Sequence, residues 1–361
     1  MAEDGAVNLT ELQGAARAAL DDLVWAYYQA TADPDAMAAD ATPGLPDRDA
    51  AAWQTLDLIP RVLRGAGAPD TSVTLSPDVH RGGATLRTPV MVAASAGHGM
   101  AHPDGEVATG GGAARCGALM VYSNSATVEV AAFGASTTSP WWAQLYLQRD
   151  RGRSREYLDR AVAAGAGAVV LTVDLAGTAS GAPFRQTVQS RLTALPGNFP
   201  GMTWQQMSAQ YEGGLTLDDI GEIASYCGLP VHVKGVLHPT DAVRAIGAGA
   251  AGVIVSNHGR RQVAGVIPTA SALPSVLDAV AGRAPVMVDG GIRSGVDVLR
   301  ALALGACLVG VGRPVLWGLT AGGADGVASV LGGLTAELVQ AMAAMGATTL
   351  NDLDRGMVRH R

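Results

Sequence analysis

From residue 89 onward the chain carries eight short, almost wholly apolar runs, and this rhythm constrains the fold more than any other feature. The runs are PVMVAA (89–94), ALMVYS (118–123), AQLYL (143–147), AVVLTV (168–173), VHVKG (231–235), GVIVS (252–256), VMVDG (286–290) and LVGVG (308–312). A strand that is apolar at every position must be covered on both faces, as in parallel sheets flanked by crossover helices. Segments such as REYLDRAVAAGAGA and TDAVRAIGAGA lie between the runs and have helical apolar spacing. Eight parallel strands close a barrel; a doubly wound open sheet is the alternative that strand counting leaves open. The expected fold class is α/β, a (β/α)8 TIM barrel over residues 86–361, with residues 1–85 as a helical segment packed on it. Within that segment, residues 9–30 read as one amphipathic helix starting near Thr10, 31–48 as a loop, and Trp53–Leu63 as a helix or turn. At 361 residues, 48% hydrophobic and 16% charged, the chain can bury one large core, and its 47 glycines point to close packing and tight turns.

Composition excludes several function classes. A net charge of −7 without a basic run argues against a nucleic-acid partner. Cys116, Cys227 and Cys307 are far apart, with no CxxC, so neither a disulfide framework nor a metal site is expected; a reducing, cytoplasmic setting is. The start MAEDGAVNLTEL lacks a signal pattern. No uninterrupted apolar run reaches the ~18–20 residues of a membrane span, so no membrane partner is expected.

The chemistry gathers where predicted strands end. The fifth carries Lys234; the sixth ends in Ser256-Asn257-His258-Gly259 before Arg260 and Arg261; the seventh ends in Asp289-Gly290-Gly291-Ile292-Arg293; the eighth in Gly310-Val311-Gly312-Arg313-Pro314. Structure alone rarely requires so many cations at the ends of buried strands. Glycines there let backbone N–H groups approach a phosphate, helix N-termini add positive partial charge, and Arg293 and Arg313 can pair with phosphate oxygens. His258 can take a proton near neutral pH, against the bland reading of a satisfied structural histidine. Asp174 can orient it, or simply cap a turn. The connection from 174 to 230 is far longer than the others and is a candidate pocket wall or lid, with a flexible insertion as the alternative.

From about Leu12 to Met342 these residues resemble the FMN-dependent α-hydroxy-acid oxidases and dehydrogenases. The resemblance rests on MAHPDGEVAT (100–109), QLYLQRD (144–150), VLTVD (170–174), VKGV (233–236), IVSNHGRRQ (254–262), DGGIRSGVDVLRALALGA (289–306) and GRPVLWGL (312–319). It implies an FMN site in which Ser95 and Ala96 meet the flavin ring, and Ser123, Gln144 and Thr172 hydrogen-bond it. Lys234 would lie at the pyrimidine edge. Asp289, Gly291, Arg293, Gly312 and Arg313 would form the ribityl-phosphate site, and Ser256 and Gly290 would also bind the cofactor. It implies His258 as base with Asp174 as its partner, Arg261 as a grip on a carboxylate, and Tyr146 and Tyr27 as active-site tyrosines, with Tyr28 one residue from the latter. It also implies O2 as the electron acceptor and a homo-oligomer, a tetramer in many members.

The sequence departs from the family around the substrate. The run after the fourth strand is TVDLAGTASGAPF, so Gly181 stands where the family keeps a second carboxylate-gripping arginine. Losing a charge-assisted hydrogen bond costs on the order of 1.5–3 kcal/mol. Arg185, Arg191 or Arg260 could compensate; Arg260 replaces a small residue and places a new cation beside the expected substrate. Val263-Ala264 replaces Leu-Asp, AASA replaces an APTA-like run, and Ser125 replaces a tryptophan. The leading expectation is oxidation of a 2-hydroxy acid to a 2-oxo acid. The alternatives are a tailoring oxidase for a larger or non-carboxylate alcohol or amine, and an FMN-binding protein without such turnover.

Overall fold

The computed structural model describes residues 7–32, 47–61, 67–175, 192 and 194–361. Three short strands precede the barrel: β1 (Leu56–Leu58), β2 (Val73–Leu75) and β3 (Ala84–Leu86). The eight apolar runs form β4 (Val90–Val92), β5 (Met120–Ser123), β6 (Trp141–Leu145), β7 (Val169–Thr172), β8 (Val231–Val236), β9 (Gly252–Val255), β10 (Val286–Asp289) and β11 (Val309–Val311). They pair in parallel in that order, and β11 returns to β4, so the sheet is a closed barrel and not an open one. A last strand, β12 (Val358–His360), pairs antiparallel with β1.

Alternation along each strand sorts the core. Val90, Val92, Val169, Leu171, Val253, Val255, Val286, Val288, Val309 and Val311 belong to the large cluster that includes the surrounding helices. The opposite parity (Met91, Val121, Trp142, Val170, Ile254 and Met287) forms an inner cluster with Leu75 and Leu86 of the β2–β3 hairpin. Arg81 N–H donates to Gly167 O and Arg87 N–H to Gly117 O, which fastens this hairpin across the amino-terminal end of the barrel. Two residues further along the inward parity stand Ala93, Ser123, Gln144, Thr172, Lys234, Ser256 and Asp289, so the interior turns polar toward the carboxyl-terminal rim.

The first 85 residues are not purely helical. The expected helix over 9–30 is two, α1 (Leu9–Ala19) and α2 (Asp22–Gln29). Leu20 is extended, and the Asp21 carboxylate caps the second helix by accepting from Leu23 N at 2.8 Å, which competes with continuation. Helix α3 (Arg48–Trp53) gives way to β1 inside the segment expected as helix or turn, and the boundary drawn at 85/86 falls within β3. Around the barrel lie α4 (Gly105–Cys116), α5 (Val130–Ser136), α6 (Arg151–Ala163), α7 (Trp204–Ser208), α8 (Asp218–Cys227), α9 (Pro239–Gly247), α10 (Thr269–Val280), α11 (Gly295–Leu304) and α12 (Arg313–Met345). Helix α12 contains an 18-residue window of mean hydropathy 1.4, long and apolar enough by composition to cross a bilayer although no uninterrupted apolar run exists. It breaks at Gly322–Gly323, where the backbone leaves helical values, and buries Leu316, Leu319, Val327, Leu331, Leu334 and Leu338.

One polar group sits inside the apolar interior. The ring of His232 stacks on Trp142 at 4.3 Å between centroids and hydrogen-bonds Val79 O at 2.8 Å. Burial pushes its pKa from 6.5 down to about 4. Between these values the unfolded chain binds a proton that the folded chain does not, so stability falls as pH drops from about 6.5 toward about 4, by roughly 3 kcal/mol in all. Urea midpoints measured across that window should show the decline, and His232→Gln should flatten it; identical pH slopes for both proteins would exclude His232 as the source.

Candidate active site

The polar rim opens into a cavity of about 310 Å³, within the range of small-molecule sites. Its wall includes Ala93–Ala96, Ser123, Tyr146, Lys234, His258, Arg261, Asp289–Arg293 and Gly310–Arg313, from the last residues of the strands or the loops that follow them. The sequence-predicted residues are thus brought together by the parity of the barrel.

Three successive residues, His258, Gly259 and Arg260, have φ of +57°, +63° and +62°. Non-glycine residues seldom adopt this region, and such strain persists only where the surroundings impose it. The turn projects the His258 ring into the cavity wall. Its Nδ1 lies 2.8 Å from Asp174 Oδ1 and its Nε2 3.1 Å from the Tyr146 hydroxyl. Burial alone would raise the Asp174 pKa, but the charge and hydrogen bond of His258, with Lys234, outweigh it and hold the carboxyl below its usual range. An ionised carboxylate only accepts, so Nδ1 carries the hydrogen and donates to Asp174; in the neutral ring that leaves the Nε2 lone pair facing the Tyr146 hydroxyl. Asp174 itself lies behind the ring and does not line the cavity. Gly235 makes this possible: it sits at a bulge in β8 with φ of +104°, and a Cβ there would reach within 2.6 Å of Asp174 Cβ.

Lys234 is buried, donates to Ser256 Oγ at 2.8 Å and pairs with Asp289 Oδ2 at 3.2 Å. Gln144 accepts from Ser123 Oγ at 3.1 Å and donates to Thr172 Oγ1 at 3.0 Å. Ser123 lines the cavity, while Gln144, Thr172 and Ser256 support the floor from beneath. Gly290 and Gly291 both have positive φ, and a Cβ on Gly291 would collide with the Asp49 backbone. The close approach of this loop to α3 is also marked by Trp53 Nε1–H donating to Gly290 O at 2.8 Å.

The substrate side is less as expected. Tyr27 and Tyr28 both line the cavity, but the Tyr28 hydroxyl is spent on Gly97 O at 2.7 Å, which favours Tyr27 as the active-site tyrosine. The Arg261 guanidinium stands over the Tyr27 ring at 5.5 Å and donates to Tyr28 O at 2.5 Å. Arg260, expected beside the substrate, is 2% exposed and is not among the cavity residues; its charge is felt by Asp47 and Asp49 instead. Opposed side-chain directions at 258 and 260 follow from the left-handed turn. Gly181, Arg185 and Arg191 lie outside the described residues.

Sequence reasoning missed several groups. Trp204, Met207, Tyr211 and Glu212 supply a wall, and the signal for them was the overlong fourth connection. Tyr211 packs against Tyr146 with the rings tilted and their centroids 4.7 Å apart, and its hydroxyl meets Ser125 Oγ at 2.8 Å. Asp47 contacts Arg293 at 2.5 Å and Arg313 at 3.3 Å. Asp49 accepts from Asn257 at 2.8 Å, and burial followed by the Asp47 charge pushes its pKa to about 6.

Comparisons with known proteins show the family and the fold. The family model described as FMN-dependent dehydrogenase matches residues 16–360. An L-lactate oxidase from Lacticaseibacillus rhamnosus is 38% identical over 86% of this chain and 85% of its own length. A peroxisomal (S)-2-hydroxy-acid oxidase from Oryza sativa subsp. japonica is 37% identical, over 98% and 95%. The solved structure of an arginine-to-leucine variant of mandelate oxidase with 2-hydroxy-phenylacetamide has a TM-score of 0.82 at 32% identity and covers 98% of each chain.

The Asp174–His258 contact gives a direct check. Asp174→Asn keeps the shape but removes the charge that fixes the tautomer, so kcat should fall by about 10²- to 10⁴-fold with little change in melting temperature. A kcat within a few-fold of wild type would remove Asp174 from the machinery.

Proposed function

This chain belongs to the family of FMN-dependent dehydrogenases, and we propose from that premise how its rim carries out FMN-dependent oxidation of a 2-hydroxy acid with O2 as acceptor. The observation that carries the reading is the Tyr146–His258–Asp174 chain at the mouth of a cavity with a buried lysine in its floor.

The residues present fit FMN. A Cβ built on Gly312 would meet only Ser95 Oγ, at 3.6 Å, so the wall there is bare backbone open to the cavity. Arg293 lies just before α11 and Arg313 begins α12, which places two guanidinium groups beside helix N-termini, a setting suited to the phosphate. Lys234, with Ser123 in front of Gln144 and Thr172, suits the polar edge of the flavin. When bound, FMN supplies a two-electron acceptor that O2 reoxidises.

The chain itself supplies orientation and proton handling. Arg261 and the Tyr27 hydroxyl hold the substrate carboxylate. Tyr146 hydrogen-bonds the substrate oxygen and keeps it beside the base. His258 Nε2 takes a proton from the carbinol group, and the ionised Asp174 at 2.8 Å stabilises the imidazolium that forms. Tyr211 and Trp204 cover this corner and limit access of water. A cytoplasmic location belongs to the proposal, supported by three thiols without disulfides. So does a homo-oligomer, supported by the exposed Val263 and Ile267 near the rim and checked by light scattering.

A second reading, a larger or non-carboxylate substrate, is favoured by the charge around the base. Of the cavity arginines, Arg293 and Arg313 are engaged by Asp47, Arg261 stands by Tyr27, and Glu212 adds an anionic group to the wall. Anaerobic mixing separates the readings. Glycolate, lactate or mandelate should bleach the yellow protein, and readmitted air should return the colour with peroxide. Bleaching by 2-hydroxy amides or bulky alcohols alone would move the assignment to the second reading. His258→Ala should stay yellow and reduce about 10²- to 10⁴-fold more slowly; undiminished reduction would refute the base assignment.

A further inference from the structure

We propose that Asp47 is a resident counter-ion for the Arg293–Arg313 pair and competes with the FMN phosphate for it, holding cofactor affinity below what the two arginines alone would give. The inference rests on the reading above that this pair takes the phosphate.

One carboxylate serves three partners. Asp47 Oδ2 meets Arg293 Nη2 at 2.5 Å and Arg313 Nη1 at 3.3 Å, while Oδ1 accepts from Ala50 N at 2.7 Å and caps α3. The residue is 7% exposed, so water screens this charge little. The rest of each guanidinium is partly engaged as well: Arg293 Nη1 donates to Ile292 O, and Arg313 donates through Nε to Tyr28 O and through Nη2 to Gly259 O. Arg293 and Arg313 both line the cavity, whereas Asp47 does not. Two guanidinium charges less one carboxylate leave a net charge of plus one to meet a phosphate of about −1.5 to −2. A second buried carboxylate, Asp49, lines the same cavity and offsets the nearby charge of buried Arg260, so the net of plus one stands. The arriving phosphate must therefore share or displace Asp47, and like charge in a poorly screened site disfavours sharing. In the unloaded barrel the same carboxylate is stabilising, because it prevents two buried cations from facing each other unpaired.

Asp47→Asn tests this cleanly, since asparagine caps a helix as aspartate does and is nearly isosteric. Release of FMN from purified holoenzyme on dilution, and rebinding of FMN or riboflavin to the deflavinated full chain, would be followed by flavin fluorescence. The variant should bind FMN roughly tenfold tighter or more, bind riboflavin as wild type does, and melt at lower temperature when deflavinated. Weaker FMN binding would show that Asp47 organises the arginines for phosphate and would overturn the proposal. So would equal shifts for FMN and riboflavin. Asp47→Ser, which also caps, should repeat the tightening if the asparagine variant does not accumulate. If wild type holds FMN no better than riboflavin, the phosphate does not lie at this pair, and the site reading fails as well.

Discussion

The hydrogen bonds that join the last barrel strand to the first set everything else. Val309 N–H donates to Pro89 O at 2.9 Å and Ala93 N–H to Val311 O at 3.0 Å, and with them the ladder has no free edge. Closure fixes which side chains of every strand face inward, because a slip of one residue anywhere would turn that strand inside out. Met91, Val121, Trp142, Val170, Ile254 and Met287 then fill the interior. Ser123, Gln144, Thr172, Lys234, Ser256 and Asp289, two residues onward, must share one polar layer. Tyr146, Asp174, His258 and Gly291, two further still, must share the rim. The site is the third layer of a parity that packing has already fixed.

This explains what could be read from the sequence. A strand covered on both faces leaves a purely local signature, so all eight barrel strands are visible as apolar runs, displaced by a residue or two where, as at Tyr146–Leu147, the chain has already turned into a loop. The rim residues are equally visible because they follow those runs directly. What was not legible depends on partners far away in the chain. Strands β1 and β12 are three residues each and pair across some three hundred positions, and β2–β3 exists to plug a barrel end. Asp47 lies in the stretch 31–48 that reads as a loop, and Asp49 just after it; in the fold both are buried where α3 docks against the Gly290–Gly291 loop. Arg260 was placed at the substrate by adjacency to His258, but adjacency is a poor guide within a left-handed turn.

Burial of so many ions is not how a barrel gains stability. Pairing rarely returns much more than desolvation takes away, and apolar replacements of similar shape are often as stable. Yet the rim holds Lys234 against Asp289, His258 against Asp174, and Arg293 and Arg313 against Asp47. Lys234, Arg293, Arg313 and the His258 ring all line the cavity. Their concentration there is what recognition of an anionic cofactor and an anionic substrate requires, and the carboxylates are what keep the barrel folded around them.

Lys234 links the two halves of that arrangement. It lies in the cavity floor, and its charge also helps hold Asp174 ionised against burial. An ionised Asp174 fixes the hydrogen of His258 on Nδ1 and leaves Nε2 as the acceptor. The lysine therefore presents its charge to the cavity through its position and acts on His258, the proposed base, through the electrostatics of its neighbour. Gly235, the residue after it, supplies the space that lets Asp174 approach. The Lys-Gly pair on β8 thus couples the charge in the cavity floor to the tautomer of His258, with the coupling built into two consecutive residues of one strand.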